Sequence, residues 1–189
     1  VIQCDGKRCP LRNEVVHPEK IGTGPIKVGI VGEAPYEDEV EYGRPFIGVS
    51  GQLLRDYLDL SEYTYYIFNT LSCLTYREGV TLKPSQMDKE DFKERFTKCK
   101  PFREQVLDLL DNGSVIMAFG RFAQLSIFGM IKEIGPVPDF INYKGKTFAA
   151  YSDYHPAYVL YKKSALPVFE EILKASGVFK VEGGVVVLD

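Results

Sequence analysis

No apolar run of about eighteen residues, the length that a membrane-spanning helix needs, occurs in this chain. The opening residues VIQCDGKRCP contain no apolar stretch of the kind that directs secretion. The expectation is a soluble, cytoplasmic protein with no membrane partner. An excess of basic residues is also missing: 23 Lys and Arg face 26 Asp and Glu, a net charge of -3. That balance argues against a broad basic face, so any nucleic-acid partner would be held by a local patch. Internal repeats and low-complexity segments are absent as well. The 189 residues, 45% of them hydrophobic, suffice for one domain with a substantial core and are too few for two comfortable ones. A single domain over residues 1–189 is expected.

Cysteine is scarce, and its four positions call for an account: Cys4, Cys9, Cys73 and Cys99. A close pair at the start and two distant members can meet only in the folded chain. In a reducing compartment such a set reads as metal ligation before disulfides. Four thiolates hold a 4Fe-4S cluster or a tetrahedral zinc ion, and spacing alone does not separate the two. The plainer account is four unrelated buried thiols.

The stretch that organises the chain is VGIVGEAPYEDEVEYGRPFIGVSGQLL, from Val28 to Leu54. It begins as a strand, Ile26–Val31, breaks at Gly32, runs through an acidic loop and resumes as a helix from Ser50 to Leu60. A Gly- and Pro-containing connector from Pro18 to Pro25 precedes it. Tyr65–Asn69 reads as a second strand with a polar tip, and Asp88–Leu110 as a charged helix interrupted at Pro101. Val115–Phe119 is a third strand, followed by a helix over Phe122–Phe128. Ile141–Tyr151 alternates around Lys144, Gly145 and Lys146, which suggests a hairpin whose second arm is Thr147–Ser152. The last helix runs from Pro156 to about Ala175, with a kink or break at Pro167. Strands alternating with helices predict an α/β fold: a three-layer α/β/α sandwich around a central, mainly parallel four-stranded sheet. In such sheets ligands bind at the carboxyl ends of strands, where Gly32 and its loop fall. A surface loop with ordinary turn residues is the plainer reading of that stretch, as a capping or core histidine is of His155.

GEAPYEDEVEYGRPFIGVSGQLL resembles the first signature of the iron-sulfur (family 4) uracil-DNA glycosylases, and DYHPAYVL, Asp153–Leu160, is similar to their last motif. The main departure in the first is Tyr36, where the family usually has Gly. The resemblance extends to the cysteines: Cys9 precedes a Pro and Leu11, Cys73 follows Asn69 by four residues, and Cys99 lies just before Pro101. The first pair is wider than the usual C-x-x-C, and the Cys73 to Cys99 interval is longer than the family's.

What the resemblance implies is a uracil-DNA glycosylase that flips uracil out of DNA and hydrolyses its N-glycosidic bond, with a 4Fe-4S cluster on Cys4, Cys9, Cys73 and Cys99. Zinc is the alternative metal, uracil-containing DNA the partner and a monomer the expected state. Phe46 would stack on the flipped base, Asn69 would pair with its edge, and His155 would stabilise the negative charge at O2. Gly32, Ala34 and Tyr36 would complete the base pocket, Tyr36 as a steric wall against C5, as in the GQDPYH glycosylases. Those enzymes orient water with an Asp in the place of Ala34. The neighbouring Glu33 is therefore the catalytic carboxylate here, or else an acceptor for loop amides. Arg44, Ser50, Pro156 and Ala157 are the expected DNA contacts, joined by Gly48, Gly51 and Ser152, with Lys144, Lys146, Lys162 and Lys163 as further candidates. Tyr36, the cysteine spacings and CLTYR after Cys73 also fit a second reading, a catalytically inactive glycosylase-like DNA-binding domain with a structural cluster. A zinc-stabilised nucleotide-binding protein is a third.

Overall fold

The computed structural model describes residues 15–74 and 83–182, together with the backbone of 76–77 and 80–81. Along the chain the elements are β1 (Glu19–Ile21), β2 (Ile26–Gly32), α1 (Glu37–Tyr42), α2 (Val49–Arg55), β3 (Tyr63–Asn69), β4 (Tyr76–Arg77), β5 (Val80–Thr81), α3 (Lys89–Lys98) and α4 (Lys100–Leu109). They continue with β6 (Val115–Phe119), α5 (Arg121–Phe128), β7 (Asp139–Tyr143), β8 (Lys146–Asp153), α6 (Pro156–Tyr161) and α7 (Leu166–Ser176).

The main sheet has six strands in the order β1-β3-β2-β6-β8-β7. Its inner four, β3, β2, β6 and β8, run parallel, as the sequence predicts. The two additions are antiparallel edges: β1 pairs with β3, and β7 with β8. β1 hides within the stretch read as a connector, being three residues long and half-exposed, too short to show a period.

Alternation along the strands divides the core between two faces. Val28, Ile30, Tyr65, Ile67, Met117 and Phe119 pack with Leu54 of α2, Val159 of α6 and Phe169, Ile172 and Leu173 of α7. Val31, Phe68, Ile116, Ala118, Phe148 and Ala150 pack with Val106 and Leu110 at the end of α4 and Ala123 of α5. Helices on both faces make the expected three-layer α/β/α sandwich.

Several boundaries differ from the sequence reading, each for a local reason. The long charged helix is two, parted at Cys99, with Pro101 in the first turn of α4, where its missing N–H costs nothing. The last helix is likewise α6 and α7, with Pro167 in the first turn of α7. The β7–β8 turn places Lys144 and Gly145 at φ 47° and 81°, the left-handed pair that a two-residue hairpin requires. From there Lys146 Nζ donates to the carbonyls of Asp108 and Leu110, each at 2.7 Å, and Lys144 Nζ pairs with Asp108 Oδ1 at 2.9 Å. Both lysines thus bind the carboxyl end of α4.

Asp153, the last residue of β8, is fully buried. Its Oδ1 accepts the N–H of Tyr154 at 2.7 Å, and its Oδ2 has no hydrogen-bond partner among the described residues. Burial pushes this carboxyl up to about 9. Its proton is therefore retained in the native state where an unfolded chain would have lost it. The stability it contributes is fully present below the ordinary carboxylate value and is lost as pH rises towards about 9. Urea denaturation at pH 5 and pH 9 is expected to show a lower midpoint at the higher pH, and Asp153→Asn, which cannot ionise, should flatten that dependence.

Candidate functional site

The parallel register brings four strand ends to one level: Gly32 lies opposite Asn69, and Phe119 opposite Asp153. At this carboxyl edge a pocket of about 310 Å³ opens, lined by Ala34, Tyr36, Phe46, Asn69 and His155. Ser50 and Ala157, two of the expected DNA contacts, stand in its wall with Gly48 and Gly51. Residues scattered over more than half of the chain thus share one cavity.

Gly32 makes the pocket possible without lining it. A Cβ there would sit 2.3 Å from Phe46 Cζ and 2.6 Å from Asn69 Oδ1. Phe46 is 4% exposed and holds φ at 55°, a left-handed conformation that costs roughly 1–3 kcal/mol for a non-glycine residue. Its surroundings determine that shape. Its N–H donates to Glu39 Oε1 at 2.6 Å, its carbonyl accepts from Arg55 Nε at 2.7 Å, and the carbonyl of Pro45 accepts from Arg55 Nη2 at 2.7 Å. Arg55 is in turn paired with Glu19 of β1. Arg44 meets the same carboxylate, Nη2 to Oε1 at 2.6 Å, so this expected DNA contact braces the loop against the sheet edge.

His155 caps α6. Its Nδ1 accepts the backbone N–H of Ala157 at 3.2 Å, and its ring lies over that of Phe46 with centroids 5.9 Å apart and planes 28° from parallel. An accepting Nδ1 puts the proton on Nε2. Burial pushes the imidazole down to about 4, so at neutral pH it is an uncharged Nε2–H donor. Pro156 follows as the first residue of α6, buried behind the lining.

Glu33 lies behind the pocket as well. The backbone N–H groups of Phe122 and Arg121, at the start of α5, donate to its carboxylate, yet burial dominates and pushes its pKa up to about 7. Gly120, at φ 90°, leaves the necessary room: a Cβ there would lie 2.5 Å from Glu33 Oε1 and 3.2 Å from His155 Cβ. The carboxylate therefore sits beneath the base of His155.

The sequence reading missed Glu39. The acidic loop contains α1, which ends at Gly43 in a left-handed cap, and Glu39 is its third residue. There its side chain takes the N–H of Tyr36 at 2.8 Å as well as that of Phe46, and it lines the pocket at 8% exposure. Acids in a first turn followed by glycine six residues on are a helix signal that the loop reading passed over. Tyr36, at the mouth, is 43% exposed.

Cys73 and Cys99 come together beside α4, both buried. A hydrogen bond between the two thiols, the N–H of Ser72 at 3.3 Å and the charge of Arg103 together bring Cys99 down to about 7 against the opposing effect of burial. Val16 donates its N–H to the carbonyl of Ser72 at 2.7 Å, which places Val16 beside the same two cysteines. Cys4 and Cys9 lie outside the described residues.

Comparison with known proteins gives a consistent result. The family model for the uracil DNA glycosylase superfamily matches residues 20–176. A type-4 uracil-DNA glycosylase of Thermotoga maritima is 30% identical over 93% of this chain and 90% of its own length. Type-4 uracil-DNA glycosylases of Sulfurisphaera tokodaii and Archaeoglobus fulgidus are 29% and 28% identical, over 92% and 90% of this chain and 79% and 86% of theirs.

The contacts of Gly32 yield a direct test. Gly32→Ala would drive a methyl group into Phe46 and Asn69 at once, and overpacking of this kind typically costs about 1–3 kcal/mol. Urea denaturation should register that loss, whereas Gly43→Ala, with nothing within 4 Å of its Cβ position, should show only the penalty of its left-handed backbone.

Proposed function

Because the chain belongs to the uracil DNA glycosylase superfamily, we propose that it removes uracil from DNA by hydrolysing the N-glycosidic bond, leaving an abasic site for base excision repair. The observation that carries this reading is the meeting of Phe46, Asn69 and an uncharged, Nε2-protonated His155 in one pocket. The names of the type-4 relatives point the same way.

Cleavage of the sugar–base bond develops positive charge on the deoxyribose and negative charge on the departing uracil. Donors fixed in advance around the base oxygens lower that barrier because they need not reorganise as charge appears. A flipped uracil lies against the Phe46 ring, and the Asn69 amide offers an acceptor to N3–H and a donor to O4. His155 Nε2–H donates to O2. A neutral donor suits this role, since its hydrogen bond strengthens as the base becomes anionic. Glu33, with a pKa of about 7, is poised to hold or polarise the attacking water near neutral pH. Tyr36 stands where a C5 methyl group would approach, so thymine is excluded by shape, which discriminates more strongly than the roughly 1–3 kcal/mol that attraction to a methyl group supplies.

DNA is held locally. Ser50 and the backbone amides of Gly48 and Gly51 at the start of α2 supply phosphate contacts that leave net charge unchanged, and the exposed Ala157 at the start of α6 borders the same rim. Lys162 and Lys163 follow directly after the end of α6. The protein acts as one domain and as a monomer.

The residues also fit a metal centre. Two buried cysteines share a hydrogen bond, one of them has a lowered pKa, and Val16, seven residues after Cys9 in the sequence, is bonded to the carbonyl of Ser72 beside them. A 4Fe-4S cluster on Cys4, Cys9, Cys73 and Cys99 would tie the amino-terminal segment to the α3–α4 junction, a structural role remote from the reacting bond.

A gel assay for abasic sites on uracil-containing oligonucleotides tests the activity. Cleavage is expected with the native protein, and His155→Ala should slow it about a hundredfold or more while DNA binding changes little, as for other lost oxyanion donors. A folded native protein that binds the DNA without cleaving it would instead favour a binding domain without catalysis. For the cluster, protein purified without chelators should be brown and contain iron and sulfide. Stoichiometric zinc without iron would assign the site to zinc.

A further inference from the structure

We propose that Glu39 is a positioning residue that sets selectivity for uracil over cytosine, by holding the Asn69 side-chain amide in one of its two orientations. The inference rests on the reading of the pocket as a uracil site and goes beyond it, because it assigns the direction of the amide to a residue that need not touch the base.

Glu39 is buried, lines the pocket beside Asn69, and has its two carboxylate oxygens on the N–H groups of Phe46 and Tyr36 at 2.6 and 2.8 Å. The Asn69 side chain also hydrogen-bonds to it. A carboxylate can only accept, so the atom of Asn69 it takes is Nδ2–H. Asn69 Oδ1 is then left on the side of Gly32, where the absent Cβ makes room for it, 2.6 Å from the position a Cβ would occupy. Burial raises the Glu39 pKa, while these three hydrogen bonds and the charge of Arg55 oppose the rise.

The consequence concerns the order of donor and acceptor along a base edge. Uracil presents N3–H and O4, a donor and then an acceptor. Cytosine presents N3 and N4–H2, the reverse order. An Asn amide matches either by rotating half a turn, so an unanchored amide discriminates poorly. Beside Glu39 the rotated amide would set Oδ1 against a carboxylate oxygen and leave Nδ2 without its acceptor, which penalises the cytosine-matching orientation.

Glu39→Gln keeps the size of the side chain but cannot keep the arrangement. One amide oxygen cannot serve three donors, and the new NH2 group on residue 39 finds its natural acceptor in a rotated Asn69 Oδ1. Glu39→Asp is shorter but remains acceptor-only.

The test measures dissociation constants of free uracil and free cytosine for the full chain by ligand-detected NMR, with circular dichroism to confirm folding. Glu39→Gln is expected to lower the ratio of uracil to cytosine affinity about tenfold or more, since a site built around hydrogen bonds discriminates through groups left unpaired. Glu39→Asp should weaken both bases yet hold the ratio near that of the native protein. In the native protein, one Asn69 Nδ2 proton should be shifted downfield and exchange slowly with solvent, a readout that stands even where Glu39→Gln fails to fold. An unchanged ratio in folded Glu39→Gln, or a freely exchanging Asn69 amide in the native protein, would overturn the inference and leave Glu39 as a brace for the loop alone. Native protein that neither binds uracil nor cleaves uracil-containing DNA would overturn the underlying assignment of the pocket instead.

Discussion

The parallel register of β2 with β3, which sets Gly32 directly opposite Asn69, is the constraint from which the rest of the pocket follows. Hydrogen bonding along the two strands fixes that pairing, and a slip of one residue would send every side chain to the opposite face. With the register held, the missing side chain of Gly32 becomes a recess filled by the Phe46 ring and the Asn69 oxygen. Phe46 reaches the recess only in a strained backbone conformation, and that strain is offset by hydrogen bonds from both directions, Glu39 on its N–H and Arg55 on its carbonyl. Arg55 and Arg44 converge on Glu19, so the short edge strand β1 anchors a loop that would otherwise be free to relax.

The ionisable groups around the pocket share one tendency. Burial moves His155 towards the uncharged base and moves Glu33, Glu39 and Asp153 towards the uncharged acid. Each of the first three is placed so that a specific partner limits or uses that shift: an amide donor on His155 Nδ1, the start of α5 on Glu33, and two loop amides with Asn69 on Glu39. Low polarity strengthens every hydrogen bond made inside such a site, which is the condition that an anionic leaving group requires.

The net charge of -3 is compatible with a polyanionic partner because its acidic residues are unevenly placed. Glu39 is turned inward, Glu19 is taken up by two arginines, and Asp108 by Lys144. The start of α2 at the pocket rim offers backbone N–H groups in place of side-chain charge.

Much was legible in the chain before folding. Apolar runs ending in glycine or a polar residue located the four parallel strands and Asn69 at the tip of the second, and the two motifs named Phe46 and His155, because short-range pattern and residue chemistry are properties of contiguous sequence. The sequence did not disclose β1, whose three residues carry no period, nor α1, whose acids read equally well as a solvated loop. It could not show that Lys144 and Lys146 serve the end of α4, or that Arg44 turns to Glu19, since a side chain's partner is set by whatever lies within a few ångströms in space. The same holds for Glu39. Its residue type was written in the sequence, but its burial among the amides of Tyr36 and Phe46 and the side chain of Asn69 was decided only when the β2–β3 register brought those groups to one point.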